Sequence, residues 1–198
     1  MPNRLVALPT VRQALVAASR PALRAALRAA LVCLAVAAQA QQPAIRVRVI
    51  LPAYRHPVAI DTIMLVTTHD APAGAVWKAA EKVFYDLKIT TDRRDSVGGI
   101  IGVVKYVKSS YMGKEPMSRV FNCGQSITGP NADNFRINMA LVALVSAKSP
   151  TKSQLGVGFA GSGLDMRGSS TDPVVCASTG WLEADFAERV KAILKGAP

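Results

Sequence analysis

Few residues in this chain carry side chains suited to catalysis. His56 and His69 are the only imidazoles, and so the only histidine bases for a serine nucleophile. A hydrolase built on either would need a G-x-S-x-G elbow and a carboxylate to orient the ring. No such elbow occurs, and each histidine reads better as a surface or strand-end residue. Ser149-Pro150-Thr151-Lys152 has the S-x-x-K spacing of penicillin-recognising enzymes, where a helical turn stacks lysine beneath serine. Here Pro150 makes it a turn between two strands, and neither S-D-N nor K-T-G accompanies it. Gly156, Gly158 and Gly161 match G-x-G-x-x-G, but a dinucleotide site needs those glycines between a strand and a helix. These lie within or at the end of a strand, and the following run to Ser170 does not start a helix. They read as positions where a strand bends or another backbone comes close. Glu183 and Asp185 are paired carboxylates on a helix surface, where solvation is the ordinary role. No H-E-x-x-H, EF-hand loop or P-loop is present. No catalytic residue, metal site or cofactor is therefore expected.

The cysteines point instead to a compartment. Of three, Cys33 lies in the apolar run 29–38 (AALVCLAVAA), which Arg24 and Arg28 precede and Ala38-Gln39-Ala40 follows. A charged n-region, an apolar h-region and an A-x-A site describe a signal peptide over residues 1–40, cleaved after Ala40. The run is shorter than the ~20 residues a membrane-spanning helix needs. An arginine-rich, acid-free leader also fits a mitochondrial presequence. A lipoprotein signal fits poorly, because Cys33 follows Leu31-Val32 rather than a small residue. Export leaves the pair Cys123 and Cys176, which an oxidising compartment joins as a disulfide. Two cysteines with two histidines are a poor basis for structural zinc.

The remaining elements must position whatever site exists. Residues 45–51 alternate apolar and basic side chains, as a half-buried strand does. They open an extended N-terminal segment, 41–59, in which Pro52 and Pro57 bracket Tyr54 and His56. Residues 60–67 (IDTIMLVT) read as a strand. Asp70 is placed to cap a helix starting near Pro72, with Val76, Ala80, Val83, Phe84 and Leu87 on one face and Trp77 at its margin. Strands are expected at 88–91, 99–108, 120–123, 135–147, 154–160 and 174–176. Residues 109–116 read as a loop, 129–131 as a turn, and 161–170 as a Gly/Ser-rich connection. A last helix, capped by Ser178 or Thr179, buries Leu182, Phe186, Val190, Ile193 and Leu194, and carries Glu183 early and Lys191 and Lys195 late. The order predicts an α+β domain over 60–198: an antiparallel sheet with two helices packed on one face and one disulfide.

Charge excludes more than it selects. The chain has 24 basic and 13 acidic side chains. Five arginines and no acids fall in residues 1–40, leaving a surplus of six in the rest. Those basic residues are scattered, whereas nucleic-acid binders concentrate them on one stripe. No nucleic-acid partner is expected, and at most peripheral contact with an anionic membrane surface.

The A-x-x-V-W spacing of Ala73, Val76 and Trp77, Asn122-Cys123-Gly124, and the helix start Cys176-x-Ser178-Thr179-Gly180-x-Leu182-Glu183 resemble a group of uncharacterised bacterial envelope proteins, many of them lipoproteins. In element order, residues 60–194 are distantly similar to the helix-grip domain of the β-barrel assembly lipoprotein C. The resemblance implies an envelope location and a sheet gripping a C-terminal helix, and supplies no catalytic residue. The lipid-attachment cysteine motif is missing here.

These readings converge on a periplasmic or secreted, non-enzymatic envelope domain that binds a protein partner or small ligand in a groove between sheet and helix. Trp77, Tyr106, Tyr111 and Trp181 are candidate contacts, and Gln125, Ser178 and Thr179 stand beside the disulfide. The alternatives are a periplasmic hydrolase-like enzyme using His56 or His69, and a structural assembly subunit of the envelope. Oligomeric state is left open.

Overall fold

The two longest apolar alternations of the chain become one long antiparallel hairpin, β11 (Phe135–Ser149) and β12 (Lys152–Asp165), turning through Pro150-Thr151. In this computed structural model the described residues are 47–168 and 171–196. The expected leader with Cys33 and its expected cleavage position after Ala40, the first two residues of the strand expected at 45–51, and residues 169–170 lie outside them.

The chain first forms a small ladder of β1 (Arg48–Val49) with β2 (Val58–Ala59), then a 3-10 turn at Ile60–Thr62. β3 (Leu65–His69) leads into α1 (Ala73–Asp86), followed by β4 (Arg93–Asp95) and β5 (Ile100–Ser109). Between β5 and the hairpin come β6 (Tyr111–Met112), β7 (Glu115–Pro116), α2 (Met117–Val120), β8 (Phe121–Asn122), β9 (Gln125–Ser126), β10 (Gly129–Pro130) and α3 (Asn131–Asn134). β13 (Val174–Ser178) and α4 (Trp181–Leu194) close the described chain. The main sheet runs β4-β5-β11-β12, all antiparallel. The outer edge of β12 is shared: β3 pairs along Ser153–Val157, β13 along Gly161–Gly163, and β8 lies outside β13.

Alternation along the hairpin sorts side chains between two cores, because successive residues of a strand point to opposite faces. Met139, Leu141, Ala143, Leu155, Val157 and Phe159 join the core cluster that includes α1 and α4. Phe84 of α1 meets Phe186 of α4 edge to face, ring centroids 5.1 Å apart, an arrangement the ring quadrupole favours. Ala140, Val142 and Ala160 belong to a second cluster with Val49, Leu51 and Ile60. The fold is thus α+β, with helices on one face and the described part of the N-terminal segment packed on the other. Cys123 and Cys176 are bonded, with Cα atoms 4.3 Å apart, and tie β13 to the residue after β8.

Several local expectations are corrected. The strand read at 60–67 begins only at Leu65. Ile60–Thr62 coils instead, the Thr62 hydroxyl donating to the Ala59 carbonyl at 2.7 Å. Asp70 does not cap α1: Pro72 occupies the N-cap position with no side-chain cap, and Asp70 pairs with Lys152. No strand forms at 88–91, because the end of α1 closes on itself. Lys88 N–H donates to the Tyr85 carbonyl and Ile89 N–H to the Phe84 carbonyl, a Schellman motif with Lys88 at φ 56 where glycine is usual. The loop at 109–116 contains the β6–β7 pair. The Gly/Ser-rich connection starts later than expected, since β12 continues to Asp165. Gly180, at φ 81, is the N-cap residue of α4. Ser178 and Thr179 precede it in tight turns, accepting from the N–H groups of Gly180 and Trp181.

Candidate functional site

α1 is amphipathic, so its buried face seats on the sheet and its C-terminal end lies beside the edge strand β4 and its neighbour β5. A hollow of about 690 Å³ opens there. Its floor is apolar: Phe84 from α1, Ile89 from the closing turn and Ile101 from β5, each under 5% exposed. Its rim is polar. Arg94 of β4 pairs with Glu81 of α1 across it, Lys82 pairs with Asp86 at 2.9 Å, and Tyr85 stands 81% exposed beside Thr90 and Thr91. Exposed ion pairs contribute at most about 1 kcal/mol, so the helix is held mainly by its buried face. A concave site with an apolar base and few polar groups is the ordinary form of a small-ligand pocket.

The residues singled out in the sequence are not assembled around this hollow. Trp77 and Tyr106 are half-buried against the main core, and Tyr111 is exposed on β6. Trp181 carries the Arg119 guanidinium over its ring at 4.8 Å, a cation–π contact. Gln125 is exposed on β9. Thr179 gives its hydroxyl proton to the Arg119 carbonyl at 2.6 Å. The lining residues Phe84, Ile89 and Ile101 read in sequence as ordinary core positions, and no local signal marks them. Their place at an edge depends on where α1 stops.

His56 is exposed, in the link between β1 and β2. His69 ends β3, buried, with Nε2 2.9 Å from the Thr67 hydroxyl. Burial holds its pKa below the usual histidine range; Lys191 adds to this and Glu188 opposes it. Ser153, opposite His69 in register, donates its hydroxyl proton to the Ala71 carbonyl at 2.8 Å. Ser153 therefore bonds away from the imidazole. Burial also raises the Tyr54 pKa.

The paired carboxylates of the last helix separate on folding. Asp185 pairs with Arg189 on the surface. Glu183 is buried, correcting its reading as a solvated side chain: it accepts from the Ser178 hydroxyl at 2.6 Å, and its second oxygen has no partner among the described residues. The glycines of the G-x-G-x-x-G match make room for neighbouring side chains and, at Gly158, for the Ile60 backbone carbonyl as well, 3.0 Å from where a Cβ would stand. A Cβ at Gly158 would stand 2.5 Å from Ile60 Cγ2, and one at Gly161 2.5 Å from the Phe121 ring. The S-x-x-K run is the hairpin turn, Ser149 pairing with Lys152. Among the described residues no cluster of three His, Cys, Asp or Glu side chains is placed to hold a metal, and no helix is long and apolar enough to cross a membrane.

No family model matches the chain, and no curated protein matches it.

Proposed function

We propose that this chain is an exported, non-enzymatic domain of a bacterial envelope, which binds a small ligand or an apolar side chain of a protein partner in the groove between α1 and β4–β5. The observation that carries this reading is the hollow of about 690 Å³ with its buried apolar floor of Phe84, Ile89 and Ile101. The disulfide supports export, since such bonds persist in oxidising compartments. The leader and the resemblance to envelope proteins support the same compartment.

Two measurements test it. The intact mass of protein purified from a bacterial envelope should show cleavage after Ala40 and the loss of two hydrogens; an uncleaved, reduced chain refutes export. Titration of the isotopically labelled protein with 3-phenylpropanol should shift amide resonances between Glu81 and Ile101 first. Thr91→Trp, which fills the hollow from its rim, should abolish those shifts. Shifts scattered over the surface, or unchanged by that substitution, refute the groove.

A further inference from the structure

The main sheet ends in strands of different character. β4 is Arg93-Arg94-Asp95, three exposed charged residues, and the stretch of β5 that runs past it carries Lys105 and Lys108. β8 has only two residues. Charge and shortness are ordinary means by which an edge avoids pairing with another chain. β3 has neither. It pairs with β12 in unbroken register from Leu65 to His69, and with no second strand among the described residues. Residues 62–69 (TIMLVTTH) contain no acid, lysine, arginine, proline or glycine. Ile63, Leu65 and Val66 are between 41% and 55% exposed. Alternate residues of an edge strand turn their N–H and C=O groups outward, and a regular apolar edge of this kind is a template for a further strand.

A second β3 fits that edge. Antiparallel pairing of the strand with itself, about a twofold axis perpendicular to the sheet, uses the same patch on both copies. It sets no like charges opposite one another, which would oppose the pairing. The axis also keeps the helices of both copies on one face. α4 packs over this side of the sheet, with Glu188 and Lys191 close enough to His69 at the end of β3 to act on its charge. The two α4 helices therefore flank the joint. Each offers an exposed acid and an exposed base, Glu188 and Lys191, to the same pair on its copy, a self-complementary arrangement.

We infer that this chain forms a twofold dimer through β3, the two main sheets joining edge to edge and covering Leu65 and Val66 of each copy. The groove between α1 and β4–β5 lies at the opposite edge of the sheet and stays open in both copies. The dimer does not depend on that groove being a binding site.

Sedimentation velocity of the protein purified from a bacterial envelope tests this from about 1 to 100 µM, a range suited to a small interface. The mass should rise to that of two chains and no further, since a twofold joint closes on itself. Amide exchange compared at the two ends of that range should slow at residues 64–68 as the dimer forms. Val66→Lys puts a positive charge on each copy at the joint and should weaken association by about tenfold or more. Val175→Lys, at a comparably exposed valine of β13, should not. Near-UV circular dichroism checks that both variants fold; if Val66→Lys does not, the exchange pattern of the wild type decides. A chain that stays monomeric at the highest concentration overturns the inference. So does a dimer that Val66→Lys leaves intact, or one whose exchange slows away from β3.

Discussion

Replacing both Cys123 and Cys176 by alanine should cost this domain about 4 kcal/mol of stability, the loop-entropy value for the 53-residue separation the bond spans. The loop it closes contains the whole β11–β12 hairpin, so the bond restricts the part of the unfolded chain that must find the longest-range pairings. On the folded side, β13 and β8 share only two register pairs, Ala177 with Asn122 and Ser178 with Phe121. A ladder that short does not hold an edge by itself. Urea unfolding, followed by near- and far-UV circular dichroism, measures the loss directly. With a slope of about 2 kcal/mol per molar, the midpoint should fall by about 2 M. Amide exchange should rise first in residues 121–126 and 174–178. A midpoint shift below about 0.5 M with an unchanged slope would refute the entropic reasoning. It would mean that neither the closed loop nor the contacts of the buried sulfurs carry that stabilisation.

Other substitutions probe other features of the fold. Gly99 has φ 69, and a Cβ on it would stand 1.9 Å from the Val145 carbonyl oxygen, whereas Gly113 has φ 67 with open space around it. Gly113→Ala should therefore cost only the left-handed strain, about 1 kcal/mol, and Gly99→Ala clearly more, as compared by thermal unfolding. Phe186→Ala removes a fully buried ring from its edge contact with Phe84 and should cost about 3–5 kcal/mol in denaturant titration. The pKa of His69 is depressed in the folded state, chiefly by burial, so the unfolded chain binds more protons just below the ordinary histidine value of about 6.5. Stability from this group is complete above that pH and is lost as pH falls towards the folded value. His69→Gln should flatten that limb of the stability–pH profile, and an unchanged profile would show that another group is responsible.

Patterns that depend on near neighbours were legible in the sequence alone. The alternation of Ile137, Met139 and Leu141 against Asn138 and Ala140 reads as a strand because side chains along an extended chain point to opposite sides. The 3.6-residue spacing of Val76, Ala80, Val83 and Phe84, and of Leu182, Phe186 and Val190, marks two helices that must bury one face. The cysteine pair follows from the expected export signal, which sets Cys33 apart and leaves two. Short-range patterns of this kind determined the fold class, the two helices and the bond.

The tertiary structure decided what depends on residues remote in sequence. Gly158 is needed because Ile60, about a hundred residues earlier, crosses that face of the sheet. The start of each helix differs from expectation, since Asp70, Ser178 and Thr179 have the chemistry of caps but not the position. The hollow is the clearest case. Phe84, Ile89 and Ile101 are buried like other core residues, and only the stop of α1 at Asp86 and the turn through Lys88 place them beneath a hollow beside β4. A site of this kind is made by where packing ends, which no local run of residues encodes.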